Sequence, residues 1–300
     1  MNTQTTLPVT PRNVPSHAPR RAAFSLTELL VVLAVIGLLS VTVLPALART
    51  RPNGQAARCM NNLRQMMAGM LVYAGDNSDL LPPNPDDANT FFGHNWVPGN
   101  AGGAGPGVLW RPEDLADPRR CAILSYIGTN TSLFKCPADE RWGIAAPSSI
   151  YAGQKVPAPR TISMNGAVGT ACQSWLSGGG HGGIPNQPTQ APWLGGDKYA
   201  KFSKSSTIAA LQPSSLWVLV DESAIGLNDG AFGVTMVSSA WVDAPGAYHD
   251  GAGSFAFADG HCELRKWQSE LTGQRPGAIT PGTPEEADYL WLRDRTSAAR

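Results

Sequence analysis

FSLTELLVVLAVIGLLSVTVLPAL, residues 24–47, is the stretch that decides how this chain is built. Within it, residues 29–47 are nineteen consecutive residues without a charge. As a helix rising ~1.5 Å per residue they are about 28 Å long, which is enough to cross the hydrocarbon core of a bilayer. The sequence therefore predicts a transmembrane helix over residues 24–48.

The residues before this stretch have a different character. Residues 1–23 contain three arginines, four prolines and no acidic residue. That composition is typical of a basic, unstructured leader that is removed from the mature protein. We expect residues 1–23 to be cleaved off and to take no part in the fold.

Glu28 is the one charged side chain at the start of the apolar run. A carboxylate deep in a membrane costs about 2.5–3.5 kcal/mol, so an ionisable residue there is interpreted as functional, with a partner. An ordinary secretory signal is the alternative, because Ala46 and Ala48 offer a small-residue cleavage site after the run. A secretory signal has no use for Glu28, and this favours a helix that is retained.

Phe24-Ser25-Leu26-Thr27-Glu28 and the apolar run that follows resemble the processing signature of type IV pilins and type II secretion pseudopilins. The resemblance implies that a prepilin peptidase cuts between Ala23 and Phe24 and methylates the new Phe24 amine. It also implies that Glu28 pairs with the N-terminal amine of a neighbouring subunit during assembly. Pro45 stands where those families often place a helix-kinking proline, whereas Ala23 stands where they usually have glycine.

The same resemblance supplies the expected location and partners. The arginines on the two sides of the apolar run are equally dense, so flanking charge does not choose an orientation. The resemblance places the leader in the cytoplasm, a single span in the cytoplasmic (inner) membrane, and the C-terminal domain outside. The implied partners are prepilin peptidase, the inner-membrane assembly machinery, other pilin-like subunits and membrane lipid.

Composition limits the nature of the rest of the chain. With 23 Lys and Arg against 23 Asp and Glu, there is no overall charge to attract nucleic acid, and no nucleic-acid partner is expected. The 32 Gly and 25 Pro indicate many loops and short strands. We predict an α+β, pilin-like fold, in which a long N-terminal helix packs on a loop-rich antiparallel β-sheet body.

A second helical segment is predicted over residues 49–78, as an amphipathic stem. Its apolar residues recur at spacings of three and four: Ala56, Met60, Leu63, Met67, Met70 and Ala74. Pro52 and Gly54 predict a kink or a break near its start, and the helix should end near Asp76 and Asn77. The remaining residues, 79–300, form the predicted extracytoplasmic β-rich domain.

Several short elements are predicted inside that domain. Residues 82–118 and 168–197 are interpreted as long surface loops, the second with a flexible glycine run at 178–183. Strands are predicted within 133–139, 160–166 and 214–222, the last ending in Asp221 and Glu222. Those two acids are interpreted as either solvated or cation-binding. A capping box at Thr283 predicts a short terminal helix.

The segment HDGAGSFAFADGHCELRKW, residues 249–267, predicts a β-hairpin that turns at Asp259 and Gly260. The nine residues between His249 and Asp259 resemble the His-X9-Asp-Gly element, which accompanies pilin-type N-termini in a large family of processing-associated proteins. Residues 136–139, residues 163–166 and the strand end at Asp221 also resemble that family. The resemblance thus extends from Phe24 to about Trp267.

Two kinds of site stay open around this hairpin. His249, Asp250, Asp259 and His261 are candidate ligands for a divalent cation, since imidazole and carboxylate suit several metals. The alternative is that Asp259 and Gly260 form only a turn and that His249 hydrogen-bonds within the hairpin. No cofactor is expected beyond the divalent cation of the first interpretation.

The cysteines form no CxxC pair, which argues against a zinc ribbon. If the body lies outside the cytoplasm, Cys121 and Cys136 are candidates for a local disulfide. Cys59 and Cys262 are interpreted as small buried apolar residues.

Two functions are compatible with these patterns. The first is a non-catalytic, pilin-like (pseudopilin) subunit that assembles through its N-terminal helix into a type II secretion or type IV pilus-like fibre. The second is a membrane-anchored extracytoplasmic binding protein or metal-dependent enzyme that uses the His249 and Asp259 region. The five histidines are scattered and match no nucleophilic or HExxH arrangement, so the first interpretation is preferred.

Overall fold

The chain divides into two compact units in a computed structural model, Met1–Arg49 and Thr50–Arg300. The structure describes residues 26–85, 95–171, 188–189, 192–209 and 212–300, without the side chains of residues 38–53, 192 and 209. The predicted leader, Ala23, Phe24, Cys172 and the glycine run at 178–183 lie outside the described residues, as does the side chain of Pro45. In the described parts the chain is mixed α/β, with several small sheets and a helix near the N-terminus.

Helix α1 extends from Leu26 to Asp76 and ends where the sequence predicts. The helix continues without interruption through Pro52 and Gly54, so of the predicted kink or break, the break does not occur. One interior proline costs about 3 kcal/mol, and tertiary packing of a long helix routinely outweighs that local preference. Among the described residues no helix is both long and apolar enough to cross a membrane.

The C-terminal part of α1 carries the predicted apolar stripe. Leu63, Met67 and Met70 on this face are buried, whereas Met60 is only half-buried. The same face also buries residues that the stripe did not include: Cys59, Met66 and Tyr73. Since Leu63, Met66, Met67 and Met70 share one core cluster with the central sheet, the stem stabilises the body by ordinary apolar burial.

In the part of the chain that the structure describes, twelve short strands follow α1. They are β1 Pro83–Asn84, β2 Leu109–Trp110, β3 Trp142–Ala145, β4 Lys155–Pro157, β5 Ile162–Asn165, β6 Thr170–Ala171, β7 Trp217–Asp221, β8 Ala231–Phe232, β9 Ala240–Trp241, β10 Ala252–Phe257, β11 Cys262–Lys266 and β12 Gly277–Ala278. The described residues also form the α-helices α2 Ser205–Ala209 and α3 Pro284–Arg293. The strands predicted within 160–166 and 214–222 and both strands of the hairpin are thereby confirmed.

The central sheet has five strands in the order β11-β10-β7-β5-β8. All its pairs are antiparallel except β5 with β8. Strand β7 is buried along its whole length, as a continuous apolar run predicts for a central strand. Trp217 on β7 packs edge-on against Phe232 and Phe255, which places the largest side chains at the centre of the core.

Two other predictions for the body are wrong. The strand predicted within 133–139 is replaced by a 3-10 helix, Thr131–Phe134, which Asn130 caps by accepting a hydrogen bond from the Ser132 amide. The described part of the loop predicted at 82–118 is not a surface excursion, because Trp96 and Trp110 are almost fully buried. Burial of two tryptophans orders a segment that has no regular periodicity of its own.

Helix α3 forms as its capping signal predicts. The Thr283 side chain accepts a hydrogen bond from the Glu286 amide, and Pro284 occupies the first turn. The helix closes over the core through Tyr289 and Leu292, which are both buried. Trp217 Nε1 donates to Thr296 Oγ1 just beyond the helix, and this bond links the terminal segment to the central strand.

Candidate functional site

The N-terminal part of α1 is an exposed apolar helix that begins beside an acid. Every described side chain from residue 26 to residue 37 is exposed, including Leu26, Leu30 and Ile36. Glu28 lies in the first turn, where the helix dipole favours a negative charge. This arrangement, an acid followed by exposed apolar side chains, is the one on which the predicted processing signal depends.

The hairpin does not bring together the four candidate cation ligands of the C-terminal motif. Asp250 is exposed and pairs with Lys266 Nζ at 3.1 Å. At the opposite end of the hairpin, Asp259 Oδ1 lies 2.6 Å from His261 Nδ1. His249 is buried and contacts neither pair, so the predicted ligand set is wrong as a group.

The turn of the motif is confirmed. Strands β10 and β11 pair from Ala252 with Lys266 to Ala256 with Cys262, and Asp259 and Gly260 lie in the connection between them. Gly260 has a φ of +90°, a conformation that suits glycine. Partial burial alone would raise the pKa of Asp259, but the hydrogen bonds from the His261 side chain and amide, together with the charge of His261, lower that pKa. The Asp-Gly pair therefore has a structural role in the turn.

His249 belongs instead to a buried group of four, which we call the thiol–imidazole cluster: Cys59, Cys136, Asp221 and His249. Each residue comes from a different element. Cys59 is on α1, Cys136 follows the 3-10 helix Thr131–Phe134, Asp221 ends β7, and His249 precedes β10. One sulfur, oxygen or nitrogen atom from each residue lies within 4.8 Å of all the others.

The distances inside the thiol–imidazole cluster are short but not uniform. Cys136 Sγ lies 3.2 Å from His249 Nε2, and Cys59 Sγ lies 3.2 Å from Asp221 Oδ2. His249 Nε2 and Asp221 Oδ2 are 3.6 Å apart. The backbone holds Cys136 in place, because the Ala138 amide donates to its sulfur and the Cys136 amide donates to Thr161 Oγ1 at 2.7 Å.

These contacts shift the pKa values of the titratable groups. A hydrogen bond from Cys59 is the largest cause that lowers the pKa of Cys136, and His249 lowers it further, against the effect of burial. The same thiol–thiol contact, together with burial, raises the pKa of Cys59 well above its usual range. Burial alone would lower the pKa of His249, but hydrogen bonds with Asp221 and Cys136 raise it to about 9.

Chemically, a cysteine beside a histidine and an aspartate is an arrangement that can activate a nucleophile. Here the Cys59, Cys136 and Asp221 side chains are wholly buried, and His249 is almost so. A substrate therefore has no access to the sulfur in this structure. Four convergent donors of the Cys, His and Asp types are also the ligands that zinc takes in proteins.

The disulfide considered between Cys121 and Cys136 is not formed. Both are free thiols in the structure. Cys121 Sγ donates to the Trp96 carbonyl at 3.4 Å, while Cys136 Sγ contacts His249. The two sulfurs are engaged in different parts of the core, so the pairing suggested by their short sequence separation is wrong.

The acids at the end of β7 are buried. The simpler interpretation, which expected them to be solvated, is wrong. Asp221 and Glu222 are completely buried. Ser163 donates to Glu222, whose pKa is raised well above its usual value by burial and by Asp243. Nearby, the buried Arg160 guanidinium donates to the Asp229 carbonyl at 2.6 Å. These groups form a polar layer within the core, with protein partners.

Sequence reasoning singled out His249 but missed its partners. Cys59 lies three residues after Ala56 and four before Leu63, so its position on the buried face of α1 was a readable signal. Nothing local to residue 59, however, indicates contact with Asp221, which is 162 positions away.

Comparison with known proteins supports the N-terminal signal. Residues 18–44 match the family model of the prokaryotic N-terminal methylation motif. The chain therefore carries a type IV pilin-like signal, which fits a pilin-like or pseudopilin precursor processed by prepilin peptidase. No curated protein and no solved structure matches the chain.

Proposed function

We propose that this protein is a pilin-like, pseudopilin-type structural subunit, cleaved before Phe24 and held in the cytoplasmic membrane by the N-terminal part of α1. The observation that carries the proposal is the methylation motif at residues 18–44, which overlaps the start of α1. In this proposal residues 1–23 form the cytoplasmic leader, residues 24–48 the membrane span, residues 49–78 the stem and residues 79–300 the extracytoplasmic body.

Exposure of the helix surface supports the anchoring step. Residues 26–37 present only exposed side chains, and most of them are large and apolar. Such a surface is unfavourable in water and favourable in lipid or against other apolar helices. Membrane lipid and neighbouring pilin-like subunits are thus the proposed surroundings of this segment.

Glu28 supports the assembly step. A carboxylate and a free amine are each costly in lipid, and pairing them lowers that cost. Cleavage before Phe24 would create the amine four residues ahead of Glu28. We propose that Glu28 of one subunit pairs with the Phe24 amine of the next, so that assembly is driven partly by neutralising both charges.

The body is proposed to be non-catalytic. The one cysteine–histidine–aspartate arrangement in the described residues is shut off from solvent, and His249 and Asp259 lie at opposite ends of their hairpin. The His-X9-Asp-Gly segment is proposed to act as a structural hairpin of a processing-associated domain. The assembly would be a type II secretion or type IV pilus-like fibre, built by the inner-membrane assembly machinery.

Substitution of Glu28 tests the assembly role. Glu28→Gln keeps the shape of the side chain and removes its charge, and Leu30→Ala, two positions away, is the matched control. We expect both variants to fractionate with membranes like the native chain, while Glu28→Gln alone loses cross-linking between subunits in the producing cells. Unchanged cross-linking of Glu28→Gln would overturn the role proposed for the carboxylate.

A further inference from the structure

We propose that the thiol–imidazole cluster is a structural zinc site, in which Cys59, Cys136, Asp221 and His249 bind one Zn²⁺ ion and fasten α1 to the central sheet. The proposal rests on the geometry of the body alone. It does not depend on the proposed function, and either can fail without the other.

Three of the separations between ligand atoms are close to those around a single tetrahedral ion. Zinc bonds of about 2.3 Å to sulfur and 2.0–2.2 Å to nitrogen or oxygen place neighbouring ligand atoms about 3.3–3.8 Å apart. In the cluster the separations are 3.2 Å for Cys136 Sγ to His249 Nε2, 3.2 Å for Cys59 Sγ to Asp221 Oδ2, and 3.6 Å for His249 Nε2 to Asp221 Oδ2. No pair of the four ligand atoms is farther apart than 4.8 Å.

The surroundings of the Asp221 carboxylate are the second observation that supports a metal ion. The carboxylate is completely buried, yet its closest described side-chain contacts are a thiol at 3.2 Å, the Thr161 hydroxyl at 3.5 Å and His249 at 3.6 Å. These partners are a thiol, a hydroxyl and an imidazole, and none of them carries a fixed positive charge. A buried carboxylate charge is costly unless a cation pairs with it. A cation shared by the four ligands would satisfy it.

The identity of the donors selects the metal. Two thiolates disfavour Ca²⁺ and Mg²⁺, which prefer oxygen ligands. Thiolate, imidazole and carboxylate are all ligand types that zinc takes, and with four protein ligands the site would be closed, as structural zinc sites are. All four ligands come from the protein and the cluster is buried, so there is no open position for a substrate.

Groups around the ligands support part of the site. The Ala138 amide donates to Cys136 Sγ at 3.4 Å, and the Thr161 hydroxyl donates to Asp221 Oδ1 at 3.5 Å. His249 Nδ1 is buried and has no hydrogen-bond partner among the described residues. Loss of such an outer partner typically weakens metal binding by about 10–100-fold. We therefore expect a zinc site weaker than one in which every ligand is supported.

The ion would connect segments that are distant in sequence. Cys59 and Asp221 are 162 positions apart, and Cys136 and His249 are 113 apart. An ion that binds the folded chain and not the unfolded chain stabilises the fold by mass action. The stem would then be fixed to the body by coordination as well as by the apolar stripe.

Metal content and unfolding of the purified full-length chain test this proposal. The chain, kept reduced in detergent and supplied with Zn²⁺, should contain one zinc per molecule by elemental analysis. A strong chelator should lower Tm by several degrees, and added Zn²⁺ should restore it. Co²⁺ should give thiolate-to-cobalt charge-transfer absorption and the visible bands of a tetrahedral site.

Variants with matched controls assign the ligands. Cys59→Ser and His249→Gln should lose the zinc and the chelator-dependent change in Tm. Cys262→Ser and His261→Gln, on the same hairpin but outside the cluster, should keep both. If Cys59→Ser or His249→Gln fails to fold, the cobalt spectrum and metal content of the native chain still decide the matter.

Two results would overturn the proposal. One is a reduced, zinc-supplied chain with no bound metal and no change of Tm on chelation. The other is a native chain lighter by two hydrogens, with a Cys59–Cys136 disulfide in its peptide map, since an oxidised pair cannot bind zinc through two thiolates.

Discussion

The two ends of helix α1 are both rich in apolar residues but have opposite surroundings. From residue 26 to residue 37 every described side chain is exposed, whereas from residue 54 to residue 76 one face is buried in the core and the other is exposed. The stem end carries the pattern of a helix on a globular body. After Glu28 the N-terminal end is apolar on every side, which is typical of a helix that packs against lipid or other helices. The two ends of α1 thus differ in surface pattern, one apolar and exposed and the other amphipathic.

Shortening a side chain of the buried stripe should change the free energy of unfolding more than any other substitution considered in α1. Leu63 is fully buried against the core, so Leu63→Ala should lower the free energy of unfolding by about 2–5 kcal/mol. Leu71→Ala, on the exposed face of the same segment, should change it by no more than about 0.5 kcal/mol. Urea unfolding of the full-length chain in detergent measures both. Equal midpoints for the two variants would contradict the assigned faces of the stem.

Two glycines on the buried and open sides of the stem should respond to alanine substitution with opposite changes in stability. A Cβ at Gly69 would lie 2.7 Å from Ile127 Cγ2 and 3.1 Å from the Tyr126 carbonyl oxygen, whereas one at Gly75 meets no atom within 4 Å. Gly69→Ala should destabilise the chain by about 1–3 kcal/mol, because overpacking outweighs the gain in helix propensity. Gly75→Ala should stabilise it by up to about 1 kcal/mol through that propensity alone. Stabilisation by both substitutions, in the same unfolding assay, would show that Gly69 is not a close contact.

Substitution at the N-terminal end should have the smallest effect on the body. Leu30 is exposed, so Leu30→Ala should alter the free energy of unfolding of the body by no more than about 0.5 kcal/mol. The same urea titration provides the measurement, with Leu63→Ala as the reference. A loss at Leu30 as large as that at Leu63 would mean that the two ends of α1 do not differ as described.

The elements that the sequence predicted correctly have strong local signals. The C-terminal end of α1, strand β7, the hairpin with its Asp259-Gly260 turn, and the Thr283 cap of α3 each depend on residues a few positions apart. Periodicity, turn chemistry and capping act over that range, so one sequence suffices to identify them.

The failures have a common cause in contacts between distant segments. Burial of Trp96 and Trp110 orders a segment interpreted as a surface loop. The thiol–imidazole cluster was missed for the same reason. His249 was proposed as a ligand with its sequence neighbours, but strand pairing and the stem bring it to Cys59, Cys136 and Asp221 instead.

Mass spectrometry of the mature N-terminus tests the central proposal most directly. In protein isolated from the producing cells, we expect the chain to begin with an N-methylated Phe24, and to keep residues 1–23 when prepilin peptidase is inactivated. A mature chain that begins near Ala48 or Arg49 would contradict the proposal, because the apolar helix and Glu28 would then be lost with a secretory signal.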